Sequence, residues 1–380
     1  MLMKIAVVSS WIPRECGIAT FSKDLTGSFP DLNMDVYALV DEKSYGLKYD
    51  RSVVFKIRQD EEKDFFEAAE KINESDADFV ILQHEFGLFG GNDGGNVFVL
   101  LKNVKKPIIV FFHTLPTLEK TKRFRSRVKK IKKMIDLSYR SIMTSSLAKK
   151  DMLRLIGKEN KNKIAVIYHG TPSFPKISAR KKDIYKKELG LEGKKIILTF
   201  GLIRKNKGIQ YGIKAMKGVI KKYPEAVYLI LGEPHSGRRK NYDYYFMLKK
   251  EVAKGNLEKN VVFIRKYLSN EDLKKYLLAS DMMLLPYTRL EQVSSGVLAW
   301  GVSAGLPIIS TPFHYAKELL AKKRGILVPP RNAKAIERSV LKILDDPKIR
   351  QGISLNAYSF GKKTYWKNVP RKILRIIKKD

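Results

Sequence analysis

Short apolar runs recur along the chain. Each is closed by glycine, proline or a polar residue, and each is followed by a stretch with apolar positions three and four apart. The runs at 4–9 (KIAVVS), 35–40, 53–57, 78–86 (DFVILQHEF), 107–114 (PIIVFFHT), 140–146 and 163–171 (KIAVIYHGT) read as buried strands. Between them, 60–74 carries Phe65, Phe66, Ala69 and Ile72 at helical spacing, and 97–101 and 147–156 also read as helices. A polar segment at 172–183 reads as a linker, after which the rhythm restarts. Strands are expected at 194–203, 226–233, 260–266, 282–285, 308–310 and 325–330, and helices at 209–222, 244–254, 270–279, 333–345 and 348–378. Strand alternating with helix predicts the α/β class, with two doubly wound parallel sheets in series. The expected division is 1–172 and 173–358, with a helical tail, 359–380, crossing back to the first domain.

Composition narrows this only a little. A chain of 380 residues suits two ordinary domains, and 44% apolar content is that of a soluble globular protein. The opening residues read as a first strand, not a secretion signal, and no run has the eighteen-odd apolar residues of a membrane span. One cysteine, Cys16, excludes an internal disulfide. The expected location is the cytoplasm. Charge changes the picture more: 74 Lys and Arg against 39 Asp and Glu give a formal +35, which favours anionic partners. Residues 120–133 alone hold nine basic side chains in fourteen, with Phe124, Val128, Ile131 and Ile135 at helical steps. That helix either docks on an anionic membrane or packs its apolar stripe on its own sheet. Nucleic acid is the weaker reading, since no RNA- or DNA-binding motif accompanies the charge.

The polar chemistry falls at strand C-termini, where open α/β sheets hold their ligands. There lie Gly17, His84 with Glu85, His113, His169, the segment 201–208, Glu233 with His235 just beyond, and Glu291 with Gln292. Each histidine alone reads as structural; four at such edges point to a cleft. The stretch 289–312 follows a buried strand and supplies a polar loop, a helix, a Gly305 stop and a second strand. Its helix entrance at Ser295, Gly296 and Val297 can hold an anion. Metal chemistry is not expected. No Cys/His spacing suits zinc, and Asp76 and Asp78 read as caps of the preceding helix end.

PRECGIATF, QHEFGLFGG, FFHT, VIYHG, FGLIRKNKG, YLILGE, DMMLLPY, QVSSGVLAWGVSAGLPIISTP and RGILVPP span nearly the whole chain. In these segments it resembles the retaining glycosyltransferases of the GT-B fold, glycosyltransferase family four (glycosyl transferases group 1). QHEFGLFGG with CGIATF is similar to a bacterial and archaeal sub-branch. The resemblance implies two Rossmann-like domains facing across a cleft, and a metal-independent hexosyl transfer from a nucleotide-diphospho-sugar to a hydroxyl acceptor, glycan, lipid-linked or small polyol. No cofactor is implied beyond that co-substrate. By the same resemblance Lys207 grips the donor diphosphate, and Arg204 stands in for an arginine the family places directly after Gly201, where this chain has Leu202. Gly17 and Gly201 let the donor approach, His113 lies near the donor sugar, and Glu233 near the nucleotide. His84, Glu85 and His169 fall on the acceptor side. The family has two glutamates separated by seven residues in the 289–312 stretch, one near the donor sugar and one holding the ribose. Here they fall on Gln292 and Trp300, with Glu291 one residue out of register. Gln292 is counted with His113 and Lys207 as catalytic. The same departure leaves two alternatives open, an altered or inactive binding subunit and a sugar phosphorylase.

Overall fold

The computed structural model describes residues 3–29, 32–116, 121–234, 239–266 and 268–377. The chain divides into two compact units, Met1–Gly170 with Trp366–Asp380, and Thr171–Tyr365.

The first unit holds a seven-stranded parallel sheet. Its strands are β1 (Lys4–Ser9), β2 (Asn33–Val40), β3 (Val53–Arg58), β4 (Phe79–His84), β5 (Ile108–Phe112), β6 (Arg140–Met143) and β7 (Ile164–Val166), in the order β3-β2-β1-β4-β5-β6-β7. Every residue of β4 and β5 is buried, as expected of strands covered on both faces. Ile5, Val7, Phe79, Ile81, Ile109 and Phe111 form the centre of one core, to which the C-terminal helix Val369–Ile377 adds Val369 and Ile373.

The second unit holds a six-stranded parallel sheet. It comprises β8 (Lys195–Phe200), β9 (Ala226–Leu231), β10 (Val261–Ile264), β11 (Met282–Leu285), β12 (Ile308–Ser310) and β13 (Ile326–Leu327), in the order β10-β9-β8-β11-β12-β13. The helix Ile209–Lys222 buries Ile209, Ile213, Met216 and Val219 against it, the three- and four-residue steps legible in the sequence.

Both sheets therefore reverse strand order once. The reversal lies between β1 and β4 in the first and between β8 and β11 in the second. At such a switch point two neighbouring loops leave in opposite directions and open a crevice at the strand C-termini.

Several local expectations change. The segment 172–183 is not all linker, because the helix Ala179–Glu188 starts inside it. Lys186 of that helix is buried on Asp281 at 2.8 Å, so a lysine-rich stretch becomes part of the packed unit. Asp76 and Asp78 do not cap a helix. Asp76 pairs with the Lys4 ammonium, and Asp78 accepts from the Lys4 backbone N–H at 2.9 Å, which anchors the start of β1. Phe66 is exposed, and the tail is broken between Gly361 and Val369 by two short 3-10 turns.

Candidate functional site

In the second unit the switch point is built from three loops. The loop after β8 runs from Gly201 to Gly208 and enters the helix Ile209–Lys222. Gly208 has φ +65°, and a Cβ there would lie 2.0 Å from the Pro286 carbonyl oxygen. Only glycine lets the β8 loop press this closely on the loop after β11. Thr288 N–H then donates to the Asn206 carbonyl at 2.9 Å, tying the two loops together. Gly232, after β9, has φ +138° and lies against the Gly201 carbonyl. The position a Cβ would take on Gly201 is 3.4 Å from Val297 Cγ2. The loop that carries Gly201, Arg204 and Lys207 thus touches Val297 at the entrance of the helix Gly296–Ser303. Ser295 caps that helix by accepting from Leu298 N–H at 3.2 Å. The first-turn N–H groups remain for an outside acceptor.

The carboxylates beside these loops are paired. Glu233 is held by Arg265 at 3.2 Å, and Glu291 by Arg289 at 2.7 Å. Glu291 therefore faces its own loop. Gln292 also turns inward, its Nε2 donating to the Ser294 carbonyl at 2.8 Å. Lys207 has no carboxylate partner among the described residues. Its ammonium lies 3.8 Å above the ring centre of Tyr287, which stacks on Phe313 at 5.0 Å. An aromatic shelf holds the cation in place without cancelling its charge. Trp300 is 7% exposed and packs edge-on against Phe174 at 5.9 Å. It fills the core of its own unit.

In the first unit the helix Gly17–Thr26 starts at the end of the loop after β1, and no side chain caps it. A methyl group on Gly17 would meet nothing within 4 Å. Phe21 of this helix lies across the ends of β5 and β7, 4.7 Å from the His113 ring and 4.9 Å from that of His169. Trp366 closes the same cluster, 5.2 Å from Phe21. Burial, helped by the charges of His169 and His84, pushes His113 down to about 3, so it is neutral. Burial also brings His169 down to about 4, opposed by its hydrogen bond to the Gly170 carbonyl at 2.8 Å.

His84 and Glu85 part company. His84 is 1% exposed inside Phe86, Phe89 and Phe112 and is pushed down to about 3, chiefly by burial. Its Nδ1 has no partner, and the ring offers no surface to an acceptor. Glu85 accepts from Gly87 N–H at 3.1 Å and caps the turn that follows. His235 lies outside the described residues, as does Lys120.

The basic helix, Lys122–Leu137, buries Ile131, Met134 and Ile135 in its own unit. Arg123 and Arg127 reach Asp93 of the glycine-rich loop at 2.8 and 2.6 Å, and Lys130 binds the loop's carbonyls. The Arg127 hydrogen bonds hold the Asp93 carboxyl well below its usual range. Arg127 also covers Phe86 at 4.3 Å. Ile131 and Ile135 of the apolar stripe are thus used internally while Phe124 and Val128 are half-buried, and part of the charge is spent holding a loop. Among the described residues no helix is long and apolar enough to cross a membrane. The periodicity announced an amphipathic helix; the lone acidic Asp93 among glycines was the available sign of its partner.

Residues 181–360 match the family of glycosyl transferases group 1. An uncharacterized glycosyltransferase of Methanocaldococcus jannaschii is 25% identical over 246 residues, 62% of this chain and 59% of its own. Spore coat protein SA of Bacillus subtilis is 22% identical over 216 residues, 56% of each. The chain thus spans a little over half the length of these curated relatives. Among solved structures, HepE of Anabaena in complex with UDP is similar with a TM-score of 0.79, 15% identity and 100% of both chains covered. Sucrose-phosphate synthase of Thermosynechococcus elongatus is similar with a TM-score of 0.77, 16% identity and 99% and 98% covered. With the two strand orders, these likenesses define a GT-B fold of two Rossmann-like domains. The match to glycosyl transferases group 1 lies in the second unit and covers a little under half of the chain.

Proposed function

We propose that the protein is a retaining hexosyltransferase that moves a sugar from a nucleotide-diphospho-sugar to a hydroxyl acceptor without a metal. The observation that carries this is the second switch point. There the loop after β8 carries Lys207, which has no carboxylate partner among the described residues, and at Gly201 it touches the open end of the helix Gly296–Ser303. Such a site suits a diphosphate. HepE of Anabaena, of the same fold, is found with UDP and with UDP-glucose.

In this reading Lys207 takes up the negative charge that grows on the leaving phosphate as the glycosidic bond breaks. The leaving oxygen accepts the proton of the incoming hydroxyl on the same face of the sugar. Gly201 and Arg204 line the phosphates, and the first-turn N–H groups of Gly296 and Val297 add dipoles. Gly17 leaves the entrance of its own helix open to a ligand. His113 and His169, both neutral, hydrogen-bond sugar hydroxyls. Glu233 and Gln292 contribute by hydrogen bonding once their present partners release them. A cytoplasmic location fits this chemistry, because nucleotide sugars are made there.

Trp300 favours a second reading. It occupies the core where the resemblance implied a carboxylate for the ribose. A sugar phosphorylase needs no ribose grip and would set inorganic phosphate against Lys207.

Thermal shift separates these readings. UDP, GDP or ADP raising the melting temperature, with hydrolysis or transfer of a matching nucleotide sugar, supports transfer. A response to inorganic phosphate and none to nucleotides supports the phosphorylase. No response and no turnover removes both and leaves a binding subunit. A further expectation concerns Gly17→Ala. The added methyl meets only open space in the protein, so the melting temperature stays put. If the donor passes close to this backbone, its affinity drops, read as a raised KM. An unchanged KM takes Gly17 out of the site.

A further inference from the structure

Gln83 is fully buried at the end of β4 and has so far no part in the site. In the sheet it stands opposite Phe111 of β5, and His84 stands opposite Phe112. Side chains alternate along a strand, so Gln83, Phe111 and His113 share one face while His84 and Phe112 take the other. Phe21 covers the shared face, 6.0 Å from Phe111 and 4.7 Å from His113. The His113 backbone N–H donates to the His84 carbonyl at 3.1 Å, which continues the strand pairing and fixes where the ring leaves the chain.

On that face Gln83 Oε1 lies 2.7 Å from His113 Nε2. A carboxamide oxygen only accepts, so the ring must donate there. One nitrogen's hydrogen bond decides the state of the other. With the proton on Nε2, Nδ1 keeps its lone pair, and it has no partner among the described residues.

We propose that Gln83 is a positioning residue that locks His113 as the neutral Nε2–H tautomer, so that Nδ1 is a hydrogen-bond acceptor for a substrate hydroxyl. His113 then neither donates to the sugar nor acts as an acid. It orients one hydroxyl by taking its hydrogen. A Gln83 amide reversed in its site would demand the opposite tautomer, which makes the assignment open to direct observation. The consequence for transfer rests on the sugar-transfer reading; the tautomer does not.

The test uses the full chain labelled with 15N-histidine, with His113→Gln identifying the His113 signals. The imidazole nitrogen shifts should show protonated Nε2 and bare Nδ1 for His113 throughout the neutral range. In Gln83→Glu, of the same size, the tautomer should persist and the titration midpoint should rise, because a carboxylate now faces the N–H. In Gln83→Leu the acceptor is gone, and the two tautomers should mix. With a donor that turns over, Gln83→Leu should lower kcat about tenfold, the factor of one neutral hydrogen bond, at little-changed KM. Protonated Nδ1 in the parent overturns the proposal. So does a pure Nε2–H ring in Gln83→Leu, or, with a mixed ring, an unchanged kcat. If Gln83→Leu does not fold, the parent and Gln83→Glu spectra still decide. If no nucleotide sugar is turned over, the transfer reading fails while the nitrogen shifts still judge Gln83.

Discussion

Lys207→Ala should cut turnover of the sugar donor by ~10²–10³, with little change in folding. No carboxylate neutralises the ammonium among the described residues, so its field is available to a leaving phosphate. Its contact with the Tyr287 ring is a half-open cation–π pair, worth about 0.5–1 kcal/mol to the fold. In a unit of this size that moves the melting temperature by no more than about 2–4 °C. The two effects therefore separate by size. Lys207→Arg keeps the charge and stacks on the same ring, but its flat fork cannot point three donors at one phosphate; activity should fall between parent and alanine. Steady-state rates on the donor found by thermal shift, with melting curves of all three proteins, check this. Parent-like turnover in Lys207→Ala would place the leaving group elsewhere.

Acid should weaken the first unit from just below neutral pH. His84 and His113 are neutral in the folded chain, held down to about 3, whereas an unfolded histidine titrates near 6.5. Between those values the unfolded state binds more protons. The stability these rings contribute is complete above about 6.5 and is lost as pH falls toward 3. At pH 5 the loss is about 2 kcal/mol per ring, large against a typical total of 5–15 kcal/mol. His169, nearer the surface, adds less. Asp24 works the other way. Burial raises it to about 6, so its protonation on acidification offsets part of the loss. A difference measurement removes that offset. Denaturant midpoints of the parent should fall steeply between pH 7 and 5. His84→Leu, which removes one ring from its aromatic box, should fall by less. Equal slopes in the two proteins would mean that His84 binds its proton as readily in the folded chain as in the unfolded one.

These predictions rest unequally on the two levels of information. The Lys207 loop was legible because its chemistry is local. A buried strand, glycines at 201 and 208 and intervening cations are written in eight consecutive residues. The same holds for the helix entrance at Ser295. His84 was not legible. Its neighbours in sequence, Gln83 and Glu85, are polar, and only folding surrounds it with Phe86, Phe89 and Phe112. Trp300 stood in the sequence where the family has a glutamate, and its contact with Phe174 shows it filling the core. The basic helix showed its periodicity but not its partner, since Asp93 lies about thirty residues away and a charge pair leaves no periodic trace. The helix that starts inside the segment read as linker, 172–183, was missed for a similar reason. A lysine looks solvated until a buried Asp281 from a distant strand meets it.

The sequence by itself determined the alternation of strand and helix, the two sheets, and the loops at which polar and small residues gather. Hydrophobic periodicity and glycine placement are properties of neighbours in the chain, and a parallel sheet follows from them. Only the tertiary structure decided which of those polar groups are spent on the protein itself. Glu233, Glu291 and Gln292 each found a partner, His84 was closed in, and Lys207 was left with a ring beneath it and no counter-charge. Whether a charge is cancelled depends on what lies within a few ångströms of it in space, which spacing along the chain does not record.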